Sequence, residues 1–239
     1  MTPPPPCPPL LGPREQALWN AQLQAESLFK AVVERGLIRA GILESELSDA
    51  VHGLARDLYG LRRHWHRRVV RSGENTTLTY HDDPPDRRIS ADDVVYLDFG
   101  PVFGGWEADL GRSYVLGSDP RKHRLVADIG AAFRRGQERF ESEPDLTAGD
   151  LYDYVAQLAA DGGWNFGAPT AGHLVDAFPH PVERDPVKRY SIRSGNDVSL
   201  REPFADGRPR HWILEVHFVD PERRFGGFVE ELLTIRGPR

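Results

Sequence analysis

Four acidic residues sit inside runs that are otherwise largely apolar: Asp98 after Val94-Val95-Tyr96-Leu97, Asp109 in WEADLG, Glu215 in HWILEVHFVD, and Glu230 or Glu231 in GGFVEELLTI. A carboxylate beside buried β-branched and aromatic side chains loses its hydration, and this is costly unless a cation joins it. One such residue is commonly a satisfied structural group, but several on separate strands call for shared cations. His173 adds a nitrogen donor. Four carboxylates and one imidazole suit a pair of borderline or hard divalent ions such as Mn, Co, Fe or Zn. Two such ions, typically about 3.5–4 Å apart, activate water and polarise a carbonyl, which is hydrolytic chemistry.

The stretch Asp93–Tyr114, DVVYLDFGPVFGGWEADLGRSY, must position the two aspartates. Its first half reads as a buried strand, and Gly104-Gly105 provides a two-residue turn of the kind that closes hairpins. With that turn, Asp98 lies opposite Gly111 and Asp109 opposite Gly100. The aspartates are then diagonal neighbours on one face, roughly 7–8 Å apart at the backbone. A bulge at Pro101 would break this register.

Around this hairpin the apolar spacing predicts helices over about 13–36, 44–59, 120–142 and from a Thr147 cap to about Ala160. Residues 64–81 read as two short strands around Gly73-Glu74-Asn75. They carry His64, His66 and His81, whose default reading is a surface or hydrogen-bonding histidine; His81 closes a strand at a loop, where functional groups often sit. Residues 181–210 are rich in charge, Pro and Gly and read as irregular surface. Residues 211–220 and 226–235 read as strands, and period-two alternation puts Glu215 and His217 on one face. Helices and strands interleave without regular βαβ spacing, so the expected class is α+β with an antiparallel sheet. The expected organisation is a Pro-rich disordered tail over 1–12 and a single domain over 13–239.

The composition narrows the partners. A net charge of −6 gives no reason to expect nucleic acid or an anionic membrane. There is no apolar run long enough to span a bilayer and no secretory signal pattern. The one cysteine, Cys7, permits neither an internal disulfide nor a Cys-based zinc site. The expectation is a cytoplasmic protein.

The order Asp98, Asp109, His173, Glu215, Glu230 resembles that of the pita-bread metallopeptidases: methionine aminopeptidase, aminopeptidase P, prolidase and the metal-free relative creatinase. LDFGPVFGGWEADLGRSY is similar to their Asp-Phe-Gly … Asp … Arg-Thr block, and GHLVDAFPH to their block of two histidines. The ILE of 213–215 and FVEELLTI are similar to their two glutamate strands, and TYHDDPPDRRI to their upstream histidine segment. The likeness covers most of 14–236.

This resemblance implies a curved antiparallel sheet backed by helices, with a dinuclear metal site. Asp98, Asp109, His173, Glu215 and Glu230 would be the ligands, with Asp109 and Glu230 bridging. Glu230 is preferred to Glu231 because the family glutamate follows an apolar residue and precedes an acidic one. Glu215 would also handle the proton of the attacking water, His180 would stabilise the oxyanion, and His81 would contact the substrate near the scissile nitrogen. Arg112 would pair with a ligand carboxylate. The implied activity is release of the N-terminal residue of a short peptide, with proline after the scissile bond. Relatives of this kind suggest a homodimer. Three features depart from the family pattern: Leu174 follows the first histidine, Pro181 follows the second, and Val216-His217 replace Pro-Gly after Glu215. Two rival readings are a non-catalytic binding module on the same fold and a creatinase-like hydrolase of a non-peptide; the full ligand set disfavours both.

Overall fold

The computed structural model describes residues 11–180, 190–222 and 224–237. The Pro-rich stretch falls almost wholly outside them.

Four helices form where the apolar spacing places them. α1 (Pro13–Glu34) starts with proline at its first turn and buries Leu18, Ala21, Ala25, Leu28 and Val32 along one stripe. α2 (Glu44–Tyr59) opens with the Glu46 carboxylate accepting the Leu43 N–H at 2.7 Å and stops at Gly60 in the left-handed conformation. α3 (Pro120–Ser142) is capped by Asp119, which accepts the Arg121 N–H at 2.9 Å. α4 (Ala148–Gly162) is capped by Thr147, which accepts the Asp150 N–H at 3.1 Å.

The strands are β1 (Val69–Ser72), β2 (Val94–Phe99), β3 (Val102–Phe103), β4 (Trp106–Glu107), β5 (Leu110–Val115), β6 (Asn165–Phe166), β7 (Ile213–Val219) and β8 (Gly226–Leu232). Six of them make one antiparallel sheet in the order β1-β2-β5-β8-β7-β6, while β3 and β4 form a separate two-stranded tip. The sheet has two halves, each with its own core. Val95, Leu97 and Phe99 of β2 point into a cluster with α1 and α2, and Leu214, Val216 and Phe218 of β7 point into a second cluster with α3 and α4. α3 lies close on the sheet because Gly136 and Gly227 have no side chains; a Cβ at either would come within 2.8 Å of packed leucine or isoleucine carbons. The alternate residues of both halves, among them Tyr96, Asp98, Glu215 and His217, are left on the other face.

Two expectations are corrected. Residues 64–81 hold one of the two expected strands: Val69–Ser72 is β1, but Gly73–Thr77 is a 3-10 turn and no strand follows it before β2. Local side-chain bonding outcompetes a second strand there. The Thr77 hydroxyl donates to the Glu74 carbonyl at 2.8 Å, and the buried Glu44 carboxylate accepts from the Ser72 hydroxyl at 2.8 Å and the Asn75 amide at 3.0 Å. Nor are residues 190–210 merely surface, since Ile192, Val198 and Leu200 are buried. Residues 181–189 lie outside the described set. Among the described residues no helix is long and apolar enough to cross a membrane.

Candidate metal centre

Gly104 and Gly105 both adopt positive φ, at 58° and 85°, and the turn they make sets the register of everything beneath it. Val102 faces Glu107 in the tip, and Asp98 faces Gly111 in the main sheet. The ladder is interrupted around Gly100-Pro101, but the pairing is the same on both sides, so no bulge intervenes.

Register then carries the row across the whole sheet. Asp98 is opposite Gly111, Gly111 is opposite Glu230, and Glu230 is opposite Glu215. Three carboxylates and one glycine thus stand in line on one face, with Asp109 two residues before Gly111. The glycine leaves the middle of the row open; a Cβ there would fall 2.4 Å from the Phe228 ring and 2.9 Å from Glu230 Cβ.

Two histidines close over this row. His173 is carried by the loop after β6, where Gly172, with φ 139°, passes so near the Ile213 carbonyl that a Cβ would lie 2.0 Å from its oxygen. His173 Nδ1 donates to the Leu174 carbonyl at 2.9 Å, and Nε2 lies 3.3 Å from Asp109 Oδ2, 3.4 Å from Glu215 Oε1 and 3.7 Å from Glu230 Oε1. His66 enters from the segment before β1. Its Nε2 lies 3.0 Å from Asp109 Oδ1 and 3.6 Å from Asp98 Oδ1.

The electrostatics are those of a buried acidic cluster. Burial pushes the Asp98 carboxyl up to about 7, and it raises Glu215 and, more strongly, Glu230. Asp109 is equally buried, yet the His66 and His173 imidazoles outweigh its desolvation and hold it down at about 2. Burial opposes the charge on His66, but Asp109 and Asp98 raise it to about 9; His173 is likewise raised well above the usual imidazole range by its carboxylate neighbours.

The residues present fit divalent metal. Asp98 Oδ1 is buried with no hydrogen-bond partner. The four carboxylates meet only histidine among the ion pairs described. One ligand atom from each of Asp109, His173 and Glu230 lies within 4.8 Å of the others, and the same holds for His66, Asp98 and Asp109.

A cavity of about 1020 Å³ opens over the row and is lined in part by Trp65, His81, His180 and Phe204. His180 Nδ1 is 2.6 Å from Oε2 of Glu107, a carboxylate buried on β4. Trp65 donates its indole N–H to the Ala108 carbonyl at 3.0 Å and packs edge-on against His66, His173 and His180. His81 is exposed on the rim, beside the Tyr80 ring. His217 lines the cavity but donates to the Thr76 carbonyl at 2.8 Å, tying the sheet to the 3-10 turn.

Arg112 corrects an expectation. It points to the opposite face, where it pairs with Glu231 and donates to the Glu230 carbonyl at 2.9 Å rather than meeting a carboxylate of the cluster. Alternation is the reason: Arg112 follows Gly111 as Glu231 follows Glu230. The sequence reading also missed His66, Glu107 and Trp65 as parts of the site. The only signal was Trp-His just before a buried strand and an acid in the tight hairpin.

Comparison with known proteins identifies the family and the fold. A sequence profile of metallopeptidase family M24 matches residues 16–203. The Xaa-Pro dipeptidase of Pyrococcus furiosus is 26% identical over 162 residues, which are 67% of this chain and 45% of that protein. The Xaa-Pro dipeptidase of Pyrococcus horikoshii is 25% identical over 181 residues, 74% of this chain and 49% of that one. The chain therefore spans about half the length of the curated relatives it matches. Among solved structures, an Xaa-Pro dipeptidase from Bacillus anthracis superposes with a TM-score of 0.74 at 20% identity, covering 96% of this chain and 62% of its own. A methionine aminopeptidase from Thermotoga maritima gives 0.70 at 18%, covering 95% and 99%. These structural likenesses establish the shared fold, and with the profile match across most of its length the chain belongs to metallopeptidase family M24.

Proposed function

We propose that residues 13–239 form one catalytic domain, a metal-dependent exopeptidase that hydrolyses the N-terminal peptide bond of short peptides. The observation that carries this reading is the row Asp98–Gly111–Glu230–Glu215, with Asp109 and His173 closing on it beneath an open cavity. Asp98, Asp109, His173, Glu215 and Glu230 would hold two divalent ions drawn from Mn, Co, Fe and Zn. When bound, such ions lower the pKa of water toward neutrality and polarise the scissile carbonyl.

The remaining steps belong to the side chains. Glu215 takes the proton of the attacking water and returns it to the leaving amine. His180, seated on Glu107, donates to the developing oxyanion. His81 meets the substrate at the rim, near the scissile nitrogen. Proline after the scissile bond is the preferred context, as supported by the names of the two Pyrococcus relatives.

The test is metal content after loading with Mn(II) or Co(II), together with cleavage of Met-leading and Xaa-Pro peptides, with Asp109→Asn as control. Absence of metal at saturating Mn(II) and Co(II) removes the dinuclear site. Metal without cleavage of either peptide class removes the peptidase activity.

A further inference from the structure

His66 has no role in the function proposed above, yet its Nε2 lies within 3.6 Å of both Asp98 and Asp109. The backbone settles which of its nitrogens faces them. Nδ1 lies 2.7 Å from the Arg67 carbonyl, which can only accept, so Nδ1 donates there and Nε2 is the nitrogen left to face the two carboxylates. With no metal bound a proton on Nε2 serves the two carboxylates, 3.0 and 3.6 Å away, and a divalent ion would take the place of that proton. His173 shows the same construction, with Nδ1–H on the Leu174 carbonyl and Nε2 toward Asp109 and the two glutamates. Asp109 divides its carboxylate between them, Oδ1 to His66 and Oδ2 to His173.

The seat is built for the ring. A Cβ on Gly100 would fall 2.1 Å from His66 Cδ2 and 2.5 Å from Trp65 Nε1, so the missing side chain is what lets the imidazole lie over Asp98 and Asp109. Trp65 packs against the ring at 4.5 Å and fixes its plane. Asp98 Oδ1 points into the same space, buried and without a partner.

We infer that His66 Nε2 is a sixth protein ligand, completing with Asp98 and Asp109 a metal position that mirrors the His173 position. This rests on the dinuclear reading above. A second imidazole shifts the site toward ions that favour nitrogen, Co(II), Fe(II) or Zn(II), over Mn(II).

The experiment uses the full chain loaded with Co(II). The unsubstituted protein is expected to bind two ions and to give two paramagnetically shifted, solvent-exchangeable imidazole N–H resonances, one from each Nδ1. His66→Gln is expected to remove one resonance and to weaken one Co(II) site by about tenfold or more in calorimetry, with a smaller loss for Mn(II). A single resonance in the unsubstituted protein with two bound Co(II) overturns the assignment and leaves the dinuclear site standing; so does a His66→Gln variant with both resonances and unchanged Co(II) affinity. Failure of the unsubstituted protein to bind Co(II) overturns the metal site itself, and His66 with it. Because the resonance count is read on the unsubstituted protein, the outcome does not depend on the variant folding.

Discussion

In the α1–α2 half of the molecule both acids belong to one hairpin, Asp98 on β2 and Asp109 just before β5, and the histidine over them comes from the segment that leads into β1. In the α3–α4 half, Glu215 and Glu230 stand directly opposite each other on a seven-pair ladder, and their histidine arrives from a loop beyond β6. Each half has its own hydrophobic cluster. Between them the ladder pairing is slight, with Gly111 opposite Glu230 the one pair among the described residues. Side chains reinforce that seam: Ser113 donates to the Phe228 carbonyl at 2.8 Å and accepts the Phe228 N–H at 2.7 Å, and Arg112 holds the Glu230 carbonyl. The lesson of the contrast is that each half is folded by its own core, whereas the cluster of carboxylates and imidazoles exists only where the two meet.

Among the described residues Asp109 is the one carboxylate that pairs with both His66 and His173, so its loss should do most to erase the difference between the halves. Asp109→Asn is expected to abolish binding of both metals and to lower kcat/KM by more than the about 10²–10³-fold that loss of a single oxyanion donor costs. Retention of one metal at full affinity would show that the halves bind independently.

Gly111→Ala attacks the seam directly. Its Cβ must displace Phe228 and Glu230, for a stability loss of about 1–3 kcal/mol by overpacking. The larger consequence should be metal loss, read by calorimetry alongside a denaturant melt. An alanine that leaves metal stoichiometry unchanged would mean that the seam does not govern the site.

Glu107→Gln tests the second bridge between halves, since Glu107 sits on β4 and His180 on the loop that carries His173. Metal content should be unchanged. kcat should fall by about tenfold or more, because the amide cannot stabilise charge on the imidazole. A change in KM alone would place His180 in substrate binding instead.

The smallest effect is in pH dependence, measured by thermal melts in chelator. Asp98, raised from 3.8 to about 7, and His66, raised from 6.5 to about 9, bind protons more tightly folded than unfolded. Their stabilisation is complete below 3.8 and 6.5 respectively and is lost as pH rises through about 7 and about 9. Glu215, Glu230 and His173 have the same sign, so both halves should lose stability together. Asp109, held at about 2, acts oppositely, and its contribution is lost only below 3.8. The metal-free protein should therefore melt at a lower temperature at pH 9 than at pH 5, and saturating metal should remove that fall. A metal-free melting temperature that climbs over this range would contradict the electrostatics of the cluster.

How much of this was legible in the sequence differs between the halves for the same reason. The Asp98–Gly111 pairing could be read directly, because a Gly-Gly turn six residues on determines it and only local geometry intervenes. The helix bounds could also be read, since Pro13, Gly60, Pro120 and Thr147 mark ends by backbone chemistry that needs no partner. Residues 64–81 were misread because Glu44, far upstream, supplies the carboxylate that holds Ser72 and Asn75 in a turn. The choice between Glu230 and Glu231 turned on which face each occupies, and the structure puts Glu230 over the row and Glu231 beside Arg112.

By itself the sequence determined most of the elements and the register of the central hairpin, because apolar period and turn chemistry are local properties; it marked Asp98, Asp109, His173 and Glu215 as candidate donors and left Glu230 and Glu231 open. Only the tertiary structure decided that Asp109 faces two histidines, that His180 rests on Glu107, and that His66 belongs over the aspartates at all. Those contacts join segments far apart in the chain. The space for His66 comes from an absence, the missing side chain of Gly100, whose meaning appears only when Trp65 and His66 are folded against it.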